Sequence, residues 1–117
     1  MTEKMFENKV KAFLKERGCW VLKTWSNGIQ REGIPDLLVC CKGVFLGVEL
    51  KNEVGVPSQL QLWNIKKIRE AGGIAIVLYP NQYEEFRKLI YLIEEIESVE
   101  ARFEQYKFDK KNTLLGK

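Results

Sequence analysis

Residues 33–51 read GIPDLLVCCKGVFLGVELK, two apolar runs joined by Lys42-Gly43 and closed at their outer ends by Asp36, Glu49 and Lys51. The runs, 36–41 and 44–50, consist almost wholly of aliphatic, Cys and aromatic residues, so each reads as a strand and the pair as a hairpin. Gly43 tolerates the positive φ of a two-residue turn. With that loop, Cys41 faces Val44, Leu38 faces Gly47 and Asp36 faces Glu49. Side chains alternate along a strand, which places Asp36, Glu49 and Lys51 on one face and turns Leu50 to the other.

Like charges directly opposite one another destabilise a sheet. Two carboxylates within about 5 Å of each other require a cation, or one must take up a proton. A divalent metal satisfies both, and all-oxygen ligation suits Mg²⁺ or Mn²⁺. The backbone carbonyl of Leu50 is a further ligand in reach. Lys51, one pleat on, would hold or polarise an attacking water, and a metal, a water and a cationic side chain together suit phosphodiester hydrolysis. The competing reading makes Asp36 a turn residue after Pro35, and Glu49 and Lys51 a solvated strand end. It accounts for each residue singly and less well for three in register.

A length of 117 residues implies one domain. No run reaches the ~18 apolar residues of a membrane helix, and the charged N-terminus reads as an amphipathic helix, not a signal peptide. His is absent, which excludes Ser-His-Asp and Cys-His catalysis, His-based zinc hydrolysis and any His general base. Catalysis here must rest on carboxylates, Lys and a metal. The three cysteines, Cys19, Cys40 and Cys41, form no CxxC and read as small buried hydrophobes in a reducing compartment. Net charge is +3, but residues 1–31 carry seven Lys/Arg against three Glu, and residues 83–100 carry six Glu against two Lys/Arg. A polyanion would prefer the N-terminal half.

In chain order, the spacing predicts a helix over 3–17, with Thr2 as N-cap, Gly18 at its end and Phe6, Val10, Phe13 and Leu14 as its buried stripe. Glu7 borders that stripe and reads either as a solvated helix residue or as a carboxylate reaching a cleft beside the sheet. A first strand over 19–25 leads to a loop, 26–34, whose Gly, Asn and Arg suit phosphate contact. Beyond Lys51, S-Q-L-Q at 58–61 fits a capping box. The helix it starts has Leu62, Ile65 and Ile68 as its expected buried stripe, with Leu60 and Trp63 off it. Gln61 admits two readings, the cap partner of Ser58 or an amide ordering water or phosphate in the site. Gly72-Gly73 ends this helix. The wholly apolar run 74–79 reads as a central strand buried on both faces. A last helix over 83–98 buries Phe86, Leu89, Ile90, Ile93 and Ile96, and residues 100–117 form a basic extension. The order α-β-β-β-α-β-α gives an α/β fold with a mixed central sheet flanked by helices.

Pro35-Asp36 and Glu49-Leu50-Lys51, in this topology, resemble the PD-(D/E)XK nuclease superfamily. G-I-P-D at 33–36, V-E-L-K at 48–51, S-Q-L-Q-L-W at 58–63 and R-E-A-G-G at 69–73 are most similar to its virus-type replication-repair nuclease (VRR-NUC) domain. The likeness covers roughly residues 5–80. It implies a restriction-endonuclease-like αβββαβ core over residues 1–99, with 100–117 as an extension. It implies Mg²⁺- or Mn²⁺-dependent hydrolysis of DNA, with Asp36 and Glu49 as ligands and the Leu50 carbonyl beside them. Lys51 would position water and stabilise charge on the scissile phosphate. Gln61 matches the family's helix-borne Gln, and Glu7 matches, more loosely, the first-helix acid of related junction resolvases, a further metal ligand. Lys23, Ser26, Asn27 and Arg31 are the expected DNA contacts. The resemblance also implies a cytoplasmic homodimer acting on branched DNA such as a Holliday junction, in bacterial or phage replication and repair. A flap or single-strand nuclease, a non-catalytic DNA-binding module on the same fold and a sequence-specific restriction-type enzyme are the alternatives. The third would need recognition elements for which 117 residues leave little room.

Overall fold

The computed structural model describes residues 1–25 and 33–95. Helix α1 (Glu3–Glu16) is followed by strands β1 (Trp20–Lys23), β2 (Leu37–Cys41) and β3 (Val44–Leu50), helix α2 (Gln59–Glu70), strand β4 (Ile74–Leu78) and helix α3 (Tyr83–Glu94). The four strands lie in sequence order. β1, β2 and β3 are antiparallel, and β4 joins β3 in parallel after the α2 crossover. This is the expected mixed sheet, and the expected Ile96 and basic extension lie outside the described residues.

The hairpin takes the register its turn dictates. Lys42 and Gly43 have φ of 51° and 86°, Cys41 pairs with Val44 and Leu38 with Gly47, and the ladder ends at Leu37 and Val48. Asp36 therefore stands one residue beyond the ladder, level with Glu49. Thr2 caps α1 by accepting from the Met5 N–H, and Gly18, at φ 79°, follows its last turn.

The main core lies between one face of the sheet and helices α1 and α3. Phe6, Val10, Phe13 and Leu14 of α1 and Phe86, Ile90 and Ile93 of α3 close over Leu37, Val39, Cys41, Leu46, Val48, Leu50 and Leu78. Phe13 meets Phe86, Tyr83 and Tyr91 edge-on. Helix α2 covers the other face through Ile65 and Ile68. It approaches closely because Gly47 has no side chain, since a Cβ there would stand 2.9 Å from Pro35 Cγ and 3.0 Å from Ile68 Cδ1.

Three packing expectations fail. Cys40 is exposed, unlike Cys19 and Cys41, because on β2 it faces outward in register with the exposed Trp20 and Phe45. Ile74–Leu78 is not a central strand: among the described residues it stands at the edge of the sheet, beside β3. Its apolar run reflects cover from helices on both faces, which a parallel strand receives whether or not both its edges are paired. The true centre is β3, every residue of which from Leu46 to Leu50 is buried. Leu62 is not buried either, being 44 % exposed. It shares a flank of α2 with Arg69, whose Nε donates to the Ala75 carbonyl at 2.8 Å. Burial on α2 therefore narrows to Ile65, with Gln61, Asn64 and Ile68 half-buried beside it.

Gly47→Val should overpack the α2–sheet contact and lower stability by about 1–3 kcal/mol. Urea unfolding should show a lower midpoint at unchanged slope.

Candidate active site

The site forms where β2 begins and β3 ends, because the hairpin register brings Asp36 level with Glu49. Thr24, just past β1, fixes the approach to it. Its hydroxyl donates to the carbonyls of Pro35 (2.8 Å) and Asp36 (3.2 Å), and its backbone N–H donates to the Asp36 carbonyl at 2.9 Å. The Asp36 side chain is held in turn, with Oδ2 accepting from the Leu50 N–H at 2.9 Å.

Glu49 lies inside the central strand at 2 % exposure. Its Oε2 accepts from Gln61 Nε2 at 2.8 Å and pairs with Lys51 Nζ at 3.4 Å. Its Oε1 is buried and has no hydrogen-bond partner. Burial and then the neighbouring Asp36 charge push its carboxyl up to about 7, against the opposing pull of Lys51. A buried carboxylate oxygen without a donor, beside a second carboxylate, is the donor set of a hard divalent cation. Among the described residues no group of three His, Cys, Asp or Glu gathers for a metal. A cation here would therefore rest on two carboxylates, with backbone carbonyl and water completing its shell.

Gln61 is the expected cap partner of Ser58, and its amide also reaches the site, where its partner is the Glu49 carboxylate. Its Oε1 accepts from the Ser58 N–H at 2.8 Å, Ser58 Oγ accepts from the Gln61 N–H at 3.1 Å, and Nε2 is left to donate to Glu49. The cap thus fixes the orientation of the amide. It makes Gln61 a positioning residue for the Glu49 carboxylate.

Lys51 is held from behind. A Cβ on Gly55 would come within 3.1 Å of Lys51 Cδ, and the Gly55 carbonyl accepts from the Tyr79 hydroxyl at 2.9 Å. The turn after β3 is thereby folded over the lysine stem and clasped from the end of β4.

Glu7 is buried on α1, as a cleft residue would be, but its carboxylate is taken up by lysines. Lys23 Nζ is 2.7 Å from Oε1, and Lys4 and Lys11 are 3.1 and 3.2 Å from Oε2. Burial alone would push this carboxyl up; the hydrogen bonds from Lys23, Lys4 and Lys11 outweigh it and hold the carboxyl at about 2. Lys23 bridges toward the site, 3.8 Å from Asp36 Oδ1. Lys23 is thus engaged with two carboxylates, while Ser26, Asn27 and Arg31 lie outside the described residues. Sequence reasoning missed Thr24, Tyr79, Lys4 and Lys11. Lys4 and Lys11 carried a usable signal, since they stand three before and four after Glu7 on one helix face.

A family model described as archaeal Holliday junction resolvase (hjc) matches residues 3–111. A solved structure described as a VRR_NUC domain is similar at 30% identity and a TM-score of 0.59, covering 81% of this chain and 97% of that chain. Hjc of Archaeoglobus fulgidus, described as a Holliday junction resolvase from an archaeal hyperthermophile, aligns at 20% identity and a TM-score of 0.49, over 65% of this chain and 67% of its own. No curated protein matches.

The raised Glu49 carboxyl has a signed consequence. Between its unfolded value of 4.5 and its folded value of about 7, the native state binds the extra proton, so stability falls as pH rises through this window. In EDTA, wild type should lose up to about 3 kcal/mol from this group between pH 5 and pH 8. Glu49→Gln should abolish that slope in urea unfolding. Glu7, held at about 2, acts in the opposite sense and in the adjoining window, stabilising the fold fully above pH 4.5 and losing that contribution as pH falls toward about 2.

Proposed function

This chain belongs to the archaeal Holliday junction resolvase (Hjc) family, and from that membership we propose that it is a divalent-metal-dependent endonuclease hydrolysing phosphodiester bonds in branched DNA. The observation that carries the reading is the buried Glu49, with one oxygen lacking a donor, beside Asp36 and Lys51. Asp36 and Glu49 would hold Mg²⁺ or Mn²⁺, with the Leu50 carbonyl as a further ligand. The bound ion supplies Lewis-acid stabilisation of charge developing on the phosphate and lowers the pKa of the attacking water.

The protein's own groups do the rest. Lys51 positions the attacking water and meets the charge that develops on the scissile phosphate. Gln61 holds the Glu49 carboxylate in one rotamer. Glu7 acts through Lys23, fixing its ammonium beside Asp36; direct ligation by Glu7 would need three lysines to release it. A cation would also offset the repulsion between Asp36 and Glu49, which adds to the cost of burying the Glu49 charge.

The dimer belongs to the same reading. A branch presents strands for paired cuts, and two copies bring two sites. Trp20, Leu22, Phe45, Leu60 and Trp63 are large apolar residues left exposed, the kind of surface a second copy covers.

A synthetic four-way junction and a matched linear duplex, assayed with Mg²⁺, Mn²⁺ and EDTA, test the reading. Wild type should cut the junction in paired, metal-dependent positions. Lys51→Ala should lose about 10²–10³-fold in rate while folding normally. Asp36→Ala should lose both cleavage and the rise in unfolding midpoint that Mg²⁺ gives wild type at pH 8. Full activity in either variant would refute the assignment.

A further inference from the structure

Three tryptophans expose their rings, and one of them is tied to the backbone of the candidate site. Trp25 is 71 % exposed. It follows Thr24, which three hydrogen bonds fasten to the carbonyls of Pro35 and Asp36. Two residues before it, Lys23 is gripped by Glu7 at 2.7 Å, lies 3.8 Å from Asp36 Oδ1 and stands 5.8 Å from the Trp25 ring centroid. One ammonium therefore links the indole to the Asp36 carboxylate, and the two residues that precede the ring, Lys23 and Thr24, are both anchored. Around the same point three lysines, Lys4, Lys11 and Lys23, face two carboxylates, Glu7 and Asp36, which leaves the cluster positive by one charge.

Within a duplex the faces of each base are covered by its neighbours. They become available only where stacking is broken, at a branch, a nick or a free end. An exposed indole with a cation at its side is matched to such a base, because every base has a π-face and its phosphate lies next to it. An aromatic held this close to Asp36 would seat the unstacked base next to the phosphate presented for cleavage.

We propose that Trp25 is a stacking platform for an unstacked nucleobase beside the scissile phosphate, with Lys23 fixed as its cationic flank, and that this contact gives preference for interrupted over continuous duplex. The proposal rests on the nuclease reading above and adds to it a residue that contacts the base.

The test uses a four-way junction with 2-aminopurine substituted singly at the nucleotides around the branch, beside a linear duplex labelled in the same way. Ca²⁺ replaces Mg²⁺, so that binding is read without cutting. Wild type should quench the fluorophore at a discrete branch position and leave the duplex signal unchanged. Trp25→Ala should lose that quenching and bind the junction roughly ten- to a hundredfold more weakly, with duplex binding unchanged. Trp25→Phe should retain much of both, and the unfolding midpoints should show that each variant folds. Undiminished quenching and affinity in Trp25→Ala would overturn the proposal. So would equal losses on junction and duplex, or a change of oligomeric state in sedimentation, which would make Trp25 a protein contact. Cleavage of the same DNA in Mg²⁺ reports separately on the reading beneath. Cutting without dependence on Trp25 removes the platform alone, and quenching without cutting in Mg²⁺ or Mn²⁺ removes the nuclease alone.

Discussion

A carboxylate buried inside the central strand of a sheet is the cost around which this molecule is built. Glu49 sits where its neighbours Val48 and Leu50 are core residues, and it cannot leave without breaking the strand that the whole sheet depends on. Desolvation of a charge at such a position is far more expensive than one hydrogen bond can offset. The surrounding structure reduces it from several directions at once. α2 delivers an amide and Lys51, directly after β3, delivers an ammonium, while Asp36, just before β2, is a second carboxylate that adds to the cost. An apolar strand end would be more stable, so stability alone does not account for the arrangement.

The two buried glutamates show how environment assigns roles to one side chain. Glu49 has a carboxylate for a neighbour and little water, and its proton affinity rises. Glu7 has three lysines, and its proton affinity falls. Burial raises both; at Glu49 it prevails, with Asp36 adding to it and Lys51 opposing, while at Glu7 the hydrogen bonds from three lysines outweigh it. The one keeps a vacant oxygen that can take a cation. The other is engaged by three lysines, one of which it holds beside Asp36. Lys23, between Glu7 and Asp36, joins the two environments.

What could be read in the sequence follows from which interactions are local. The hairpin register was legible because the Lys42-Gly43 turn and a period of two determine it, and with it the meeting of Asp36 and Glu49. The capping box at Ser58 and the stripe Phe6–Val10–Phe13–Leu14 were legible for the same reason. The edge position of Ile74–Leu78 was not, since apolar content reports cover on the faces of a strand and not pairing at its edges. Leu62 misled because periodicity marks the face of a helix that could be buried, while the width of the sheet beneath decides how much is. The lysines around Glu7 were visible at helical spacing, but Lys23 reaches it from β1, and no pattern along the chain announces a contact between elements. Thr24 and Tyr79 belong to that same class, side chains whose partners are backbone carbonyls far along the chain.

The double engagement of Gln61 limits how this region can drift. A Glu at that position keeps an acceptor for the Ser58 N–H but turns a second carboxylate toward Glu49. A Lys keeps a donor for Glu49 and uncaps the helix. An Asn carries the right pair of groups on a stem one methylene shorter, for two partners that both lie at 2.8 Å. Among the coded side chains only Gln offers an acceptor and a donor at that reach. The start of α2 and the placement of the Glu49 carboxylate therefore rest on one side chain, and a substitution that suits one of them disturbs the other.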